Sequence, residues 1–513
     1  MSFQSNNNKR IAKNTLLLYF RMLFMLVVSL YTSRVVLNTL GIVDYGINNV
    51  VGGVITMLGF LTGSLGSASS RYITYDLGRG DMNVMKKTFG NILSIHFLLA
   101  AIVLLIGETV GIWFMSTQLQ IPSERETAAF WVYQFSVFSS ILAVVSVPYN
   151  AVIIAHEKMS AFAYITIFDA ILKLLIVYLL LVIPYDKLII YAILFFLVQV
   201  FDRIVYGVYC TRHFPESTAK LAYDKKLFKE IFAFAGWTMN GNLAIIGYTQ
   251  GINILLNVFF GPTVNAARAV AVQVQNTCQQ FCSNFQMALN PQLIKSYAKE
   301  QYDEMHSLLI KSSKFSFFIL FFIALPLMLE APFVLKIWLG IVPNYTVSFL
   351  RLILVSSMLL TLSNPIVVSV HATGNLKRFQ IIEGTMLLSI VPIAYFVLKF
   401  LHISPEYVFY VHILVEVVTQ CARLKIVLPM IKMSIREYLI NVIKPIVIIC
   451  LSVPVLPYLV YKQLGENTSV LAFFAVCSIC VLTSSILMFL GGCTDSERIF
   501  IINKIKSIKK NKQ

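Results

Sequence analysis

The stretch that decides the fold runs from residue 33 to residue 81 and reads SRVVLNTLGIVDYGINNVVGGVITMLGFLTGSLGSASSRYITYDLGRGD. It holds the end of one apolar segment, a short turn with glycine, a second apolar segment and a basic polar loop that begins at Arg71. A fainter copy, residues 256–303, reads LNVFFGPTVNAARAVAVQVQNTCQQFCSNFQMALNPQLIKSYAKEQYD, and its loop begins at Pro291. A duplicated order of apolar segments predicts a membrane transporter built from two related lobes.

The composition excludes an ordinary soluble protein. The chain of 513 residues is 58% hydrophobic and 13% charged, and its mean hydropathy is +0.77, whereas soluble domains have about 25% charged residues. A membrane-spanning helix needs about 20 mostly apolar residues. By that measure fourteen segments qualify, near residues 15–39, 46–68, 89–115, 128–154, 161–183, 188–210, 231–256, 264–289, 313–337, 347–370, 380–401, 406–429, 441–460 and 470–491.

This layout predicts an all-α polytopic membrane protein of about 14 transmembrane helices. The first twelve segments form two parallel repeats of six, because an even number of spans returns the chain to the same side of the membrane. We therefore expect an N-terminal lobe at residues 1–212 and a C-terminal lobe at residues 213–430. Two additional helices at residues 431–492 and a basic tail at residues 493–513 follow.

The net charge of +17 is distributed unevenly between the loops. With the N-terminus in the cytoplasm, 30 of the 41 Lys and Arg residues fall in cytoplasmic segments, Arg423 among them. This is the positive-inside pattern, so we expect both termini in the cytoplasm, contacts with membrane lipids and no nucleic-acid partner.

The sequence does not predict a metal site, a cofactor site or an enzyme active site. The 8 Cys lie mostly in apolar segments, as packing residues do, and the 7 His are scattered. We predict no metal and no cofactor. A membrane glycosyltransferase or polysaccharide polymerase usually needs a sizeable extramembrane loop, and the loops here are short. We therefore predict that the protein is not an enzyme.

One predicted span, residues 264–289, carries a polar stripe. Arg268, Gln275 and Gln279, followed by Ser283 and Gln286, recur at helical steps, and Asn242 and Asn49 lie on polar faces of other spans. Lipid cannot satisfy such groups. Two interpretations remain: the stripe lines a watery cavity, or it forms hydrogen bonds to neighbouring helices.

Charged residues inside spans need partners or water. Asp169 and Lys173 are four residues apart and are expected to pair. Arg203 is expected to pair with Asp202. Arg34 and Arg268 have no acidic residue at helical spacing, although Glu330 is a candidate partner for Arg268. Because buried carboxylates change charge with their environment, Asp169 and Glu416 are candidates for coupling to a proton or sodium ion.

Short motifs at corresponding places of both halves carry a family resemblance. They are Ser33-Arg34, Leu40-Gly41, Tyr45-Gly46, Gly66-Ser67-Ala68, Arg71-Tyr72-Ile73 and Gly80-Asp81, with Asn290-Pro291 and Tyr297 in the second half. The chain resembles bacterial polysaccharide flippases, of the O-antigen type, within the multidrug/oligosaccharidyl-lipid/polysaccharide exporter superfamily. The resemblance implies a V-shaped pair of lobes, a cationic cavity and alternating access in the bacterial inner membrane.

The resemblance also implies a substrate, an oligosaccharide linked to undecaprenyl diphosphate, which is moved during surface polysaccharide or lipopolysaccharide biosynthesis. A polysaccharide polymerase is then an expected partner. Arginine suits a diphosphate because its planar fork binds phosphate oxygens bidentately. We expect Arg34 and Arg268 to hold the diphosphate while Gln275, Gln279 and Asn242 contact the sugars, with Asn49 nearby. The alternatives are a lipid II flippase of the same fold and a cation-coupled multidrug exporter.

Overall fold

A computed structural model describes most of the chain. The described residues are 14–28, 31–32, 35–36, 39–40, 44, 47–48, 59–118, 121–260, 262–339, 342–401, 403–464, 469–499 and 502. Two predicted site residues, Arg34 and Asn49, lie outside them, as do Gly41 and most of the basic tail.

The described residues form a succession of helices joined by short turns. Ten of these helices are long and apolar enough to cross a membrane, so the predicted all-α polytopic class is confirmed. In chain order the helices are α1 (Asn14–Val28), α2 (Gly59–Arg79), α3 (Met82–Thr117), α4 (Glu126–Ala155), α5 (Met159–Val182), α6 (Lys187–His213), α7 (Lys225–Phe260), α8 (Pro262–Ala298), α9 (Tyr302–Leu329), α10 (Ala331–Leu339), α11 (Thr346–Thr373), α12 (Lys377–Leu401), α13 (Tyr407–Met430), α14 (Ile435–Leu464) and α15 (Val470–Gly492).

Three long helices, α2, α8 and α13, are not among those ten because they carry more polar residues. The predicted loop starts at Arg71 and Pro291 are wrong: α2 continues to Arg79 and α8 continues to Ala298. Arg71 continues the helix because arginine is a good helix former, and its guanidinium lies over the rings of Tyr72 and Tyr75, at 4.4 and 4.7 Å. Pro291 removes only one backbone donor from a helix whose other hydrogen bonds remain.

Left-handed turns recur in the two halves at the spacing of the sequence repeat. Gly80, between α2 and α3, has φ of 81°, and Glu300, between α8 and α9, has φ of 58°. Glu157, between α4 and α5, has φ of 58°, and Gly374, between α11 and α12, has φ of 77°. Each pair joins corresponding helices, which supports an internal repeat. The predicted lobe boundary between residues 212 and 213 stays a prediction.

The chain forms two compact units, residues 1–242 with 287–301 and residues 243–286 with 302–513. Both boundaries fall inside helices, in α7 next to Gly241 and in α8 next to Met287. These are weak points of the helices, because glycine costs helix stability and Pro291 cannot donate to the carbonyl of Met287.

Ion pairs fasten both ends of the first unit. Arg125 contacts Asp44 and Asp186 at 2.5 Å each, and the Asp186 side chain also caps the start of α6. At the other end of α4, Glu157 accepts hydrogen bonds from Gln292 and Lys295, both at 2.9 Å. The loop between α4 and α5 therefore anchors the C-terminal part of α8.

The second unit includes the two additional helices, α14 and α15. Lys314 of α9 is 1% exposed and pairs with Glu497, just beyond α15, at 2.7 Å. Gly492 at the end of α15 lies so close to α9 that a Cβ there would be 2.7 Å from the Phe318 ring. These contacts make the C-terminal helices part of the second unit's core.

Candidate functional site

The predicted polar stripe of α8 makes hydrogen bonds to a neighbouring helix of the second unit. The Gln275 amide donates to the Ser357 hydroxyl of α11 at 2.8 Å. Gln286 donates to the Thr361 carbonyl at 3.1 Å and accepts from Asn364 at 2.8 Å. These bonds fix the rotation of α8 against α11.

A second polar face of α8 is exposed. Gln273, Asn276, Thr277, Gln280 and Ser283 recur at helical steps on this face, and all five are exposed. They cover about 15 Å of the helix, half the roughly 30 Å thickness of the hydrocarbon core. Lipid offers amides no hydrogen bonds, so such a face at membrane depth must contact water or a polar ligand.

Arg268 lies one to two turns before this polar face and is held by uncharged groups. It donates to the Asn253 side chain at 2.8 Å and to the Thr249 carbonyl at 3.1 Å. Its buried Nε finds no hydrogen-bond partner among the described residues. In that part of the chain no carboxylate, Glu330 included, lies within ion-pair distance of it. The guanidinium thus has no direct ionic partner among the described residues, and N–H donors remain for an anion.

The other arginine of this region is fully paired. Arg423 of α13 is 3% exposed and contacts Glu383 of α12 at 2.7 Å and Glu416 at 2.6 Å. It also donates to the Ser363 hydroxyl at 2.7 Å and to Gln420 at 3.2 Å. One guanidinium thereby orders two membrane carboxylates, and with all three groups ionised this trio carries one net negative charge.

The two arginines belong to one electrostatic cluster. Tyr248 and His412, whose ring centroids are 5.1 Å apart, both interact electrostatically with Arg268 and with Glu416. With Glu383, Glu416, Arg268 and Arg423 ionised, the cluster has no net charge. Both carboxylates contact Arg423 directly, so the charge of Arg268 is balanced at a distance and its hydrogen-bond donors are not used by either carboxylate.

Sequence reasoning missed several of these residues. Arg423 was predicted to lie in a cytoplasmic segment, and the structure places it inside α13, which continues to Met430. Its spacing of seven residues from Glu416, with Gln420 between them, was the available signal, since such residues share a helix face. Gln273 and Gln280 carry the same three- and four-residue spacing and were also overlooked.

The predicted site residues divide between the two units. Asn242 belongs to the first unit and donates to the Ser64 hydroxyl of α2 at 2.9 Å. Arg268, Gln275 and Gln279 belong to the second unit, and the buried Oε1 of Gln279 has no hydrogen-bond partner among the described residues. Their roles in binding stay predictions.

The two predicted coupling carboxylates each have a basic partner. Lys173 donates to Asp169 at 2.8 Å, which confirms the predicted pair, and Glu416 contacts Arg423. The predicted pair of Asp202 with Arg203 is wrong. Consecutive helical residues point about 100° apart: the Arg203 guanidinium lies 4.1 Å from the Tyr149 ring centroid, while Asp202 is hydrogen-bonded to Asp169.

Solved transporters share this fold. A multidrug resistance MATE family transporter of the MOP superfamily, in an outward-facing conformation, has a TM-score of 0.69 and 14% identity over 83% of this chain and 96% of its own. The Vibrio cholerae MATE transporter VcmN, in its bent form, has 0.68 and 15% over 85% and 100%. A Pyrococcus furiosus MOP superfamily transporter, described by a binding pocket whose reverse polarity suggests a different function, has 0.66 and 13% over 82% and 96%.

No family model matches the sequence, and no curated protein matches it. Identities of 13–15% establish the fold alone. The chain is therefore a multi-pass membrane protein with the fold of MATE transporters of the MOP superfamily. That superfamily is the one the sequence motifs resemble.

Proposed function

We propose that the protein is a flippase that moves an oligosaccharide linked to undecaprenyl diphosphate across the bacterial inner membrane by alternating access. The observation that carries this proposal is Arg268, a membrane-depth cation held by Asn253 and a backbone carbonyl, next to the exposed amide face of α8. A diphosphate cannot cross hydrocarbon alone, so its carrier must offer fixed positive charge in a polar cavity.

Arg268 is proposed to bind the diphosphate. A guanidinium has five N–H donors, and its two contacts within the protein use two of them. The remaining donors suit phosphate oxygens, which accept charge-assisted hydrogen bonds. Arg34, outside the described residues, is proposed as a second diphosphate ligand.

The amides of α8 are proposed to contact the sugars. Gln273, Asn276 and Gln280 present donors and acceptors on an exposed face, and sugar hydroxyls need both. Gln275 and Gln279, half-buried on the adjoining face, contribute the carbonyl or amide groups that helix contacts leave unused. Asn242 is a further proposed sugar contact.

A cation-coupled multidrug exporter is the second candidate, because a neighbour in fold is described as a multidrug resistance transporter. The donors of Arg268 favour the flippase, because a guanidinium offers hydrogen bonds to an anion and no acceptor to a cationic drug. The chain is also longer than these transporters, which align over 96–100% of their own length and only 82–85% of this chain. The resemblance implies fourteen spans for the flippases and twelve for most drug exporters of the superfamily, so the additional helices α14 and α15 favour the flippase.

Reconstituted protein tests the proposal. A fluorescent, undecaprenyl-diphosphate-linked oligosaccharide in proteoliposomes should flip in a protein-dependent manner. Arg268→Ala should slow flipping about 10- to 100-fold, since a hydrogen bond to a charged group contributes about 1.5–3 kcal/mol. Arg268→Lys should restore part of the rate, because it returns the charge without the planar fork.

The matched control is Arg378→Ala, which removes an exposed arginine at the start of α12 and should leave flipping unchanged. Normal flipping by Arg268→Ala would refute the assigned site. Export of cationic drugs without any flipping of the lipid-linked substrate would favour the second candidate.

A further inference from the structure

We propose that Glu108, in a widened turn of α3, binds the small cation that couples to transport, a proton or a sodium ion. This inference rests on the proposed function, since it names the coupling site of the same transporter. It concerns a residue that sequence reasoning left out of the candidate carboxylates.

The site is built around a π-helical turn, Gly107–Gly111, within α3. A Cβ on Gly111 would come within 1.8 Å of the Tyr133 hydroxyl, and one on Gly107 within 3.2 Å of Val137. Tyr133 donates to the Gly107 carbonyl at 2.7 Å. The two glycines therefore allow α4 to approach the wide turn, a kind of helix irregularity that is frequent at functional sites.

Glu108 faces α4 from this turn with half of its carboxylate unsatisfied. Its Oε2 accepts a hydrogen bond from the Gln134 amide at 3.2 Å. Its Oε1 is buried and has no hydrogen-bond partner among the described residues. The neighbouring Tyr133 does not fill that position, because its hydroxyl is bonded to the backbone.

The absence of a basic partner separates Glu108 from the other candidates. Asp169 has Lys173, and Glu416 has Arg423. Within the described part of the chain no Lys, Arg or His lies within ion-pair distance of Glu108. A carboxylate inside a membrane span needs a counter-charge or a proton, and here an exchangeable cation supplies it.

The position of the turn in α3 indicates from which side of the membrane the cation would reach Glu108. Trp113 follows on the same helix and is exposed, and tryptophans concentrate at membrane interfaces. In the predicted orientation that interface is the outer one, so Glu108 is loaded from outside. The titratable group that the described part of α4 brings to it is the Tyr133 phenol.

Hydrophobic carbodiimide, which modifies protonated carboxyls in apolar surroundings, tests the site in the unaltered protein without any transport substrate. Peptide mass spectrometry over a series of pH values should find Glu108 modified in choline chloride. If sodium is the ligand, sodium chloride protects Glu108; if the proton is, raising the pH abolishes the reaction and sodium has no effect. No modification at any pH, or modification indifferent to both pH and sodium, would overturn the proposal.

A variant adds a second readout. Gln134→Glu places two carboxyls together, which disfavours the doubly charged state. It should raise the proton affinity, or the sodium affinity, at least about tenfold, seen as a shift of the labelling midpoint. Thr127→Glu adds the same group at the exposed start of α4 and should not shift it. An unshifted midpoint in Gln134→Glu would contradict the site, while correct labelling in a protein that flips no lipid-linked sugar would contradict only the proposed function.

Discussion

Helices α5 and α8 both present an exposed face with the same spacing, and the two faces differ completely in chemistry. On α5 the exposed side chains are Tyr164, Phe168, Ile171 and Leu175, whereas on α8 they are Gln273, Asn276, Gln280 and Ser283. An apolar face suits lipid, and an amide face does not. Exposure alone thus does not identify the solvent of a membrane protein; the composition of the exposed face does.

The largest effect is expected at Arg423, in the buried charge network that it forms with Glu383 and Glu416. This network is shielded from water, unlike the two exposed faces, and it therefore extends the comparison to a dry environment. Arg423→Met should lower the free energy of unfolding by about 3–5 kcal/mol, because it leaves Glu383 and Glu416 as uncompensated buried charges. Denaturant titration in mixed micelles measures the loss.

The same substitution at the other arginine is the control. Arg268→Met should cost about 1 kcal/mol, since its partners are neutral and its surroundings polar. Adding Glu383→Gln and Glu416→Gln to Arg423→Met should recover most of the lost stability. An equal loss of unfolding free energy for Arg268→Met and Arg423→Met would mean that Arg268 is as well shielded from water as Arg423.

Charge insertion addresses the two faces directly. Ile171→Arg, near the middle of α5, should cost about 2.5–3.5 kcal/mol of insertion free energy, because it sets a charge in hydrocarbon. Asn276→Arg, on the amide face of α8, should cost far less because water or polar groups solvate it. Insertion assays with each helix in the full chain compare the two, and a cost at Asn276 as large as at Ile171 would place the α8 face in lipid.

Much of the fold was predictable because membrane spans need long apolar segments. The polarity that makes α2, α8 and α13 weaker spans also marks helices with internal polar contacts. The sequence did not predict which amide side chain forms a hydrogen bond to another helix. Gln273 and Gln275 are only two positions apart, and tertiary packing places Ser357 beside Gln275. The Glu108 site was missed because a π-helical turn and an unpaired oxygen leave no trace in apolar spacing.

A helix face covered by an extended segment of the chain provides a further environment. An extended segment crosses α3 at Gly90, where a Cβ would lie 2.6 Å from the Lys220 carbonyl and 2.9 Å from the Ala222 Cβ. Gly90→Ala should therefore destabilise the protein by about 1–3 kcal/mol. Gly236→Ala in α7, whose Cβ would meet nothing within 4 Å, should instead stabilise it by about 0.4–1 kcal/mol. Thermal unfolding in detergent measures both changes. An unchanged melting temperature in Gly90→Ala would show that the extended segment can move away from α3.

The smallest effect is expected at the fully hydrated end of the same segment. The Lys87 ammonium, 2.5 Å from Asp224, lowers the pKa of that carboxyl. A lowered folded pKa gives stability that is present above the unfolded pKa of about 3.9 and is lost as the pH falls through the folded value. Lys87→Met should thus reduce the melting temperature slightly at pH 7 and not at pH 2, whereas Lys86→Met, at an exposed neighbour, should show no such pH dependence. Water screens this pair, so we expect a change in melting temperature much smaller than that of Gly90→Ala. A change at pH 7 as large as that of Gly90→Ala would mean that the segment is shielded from water.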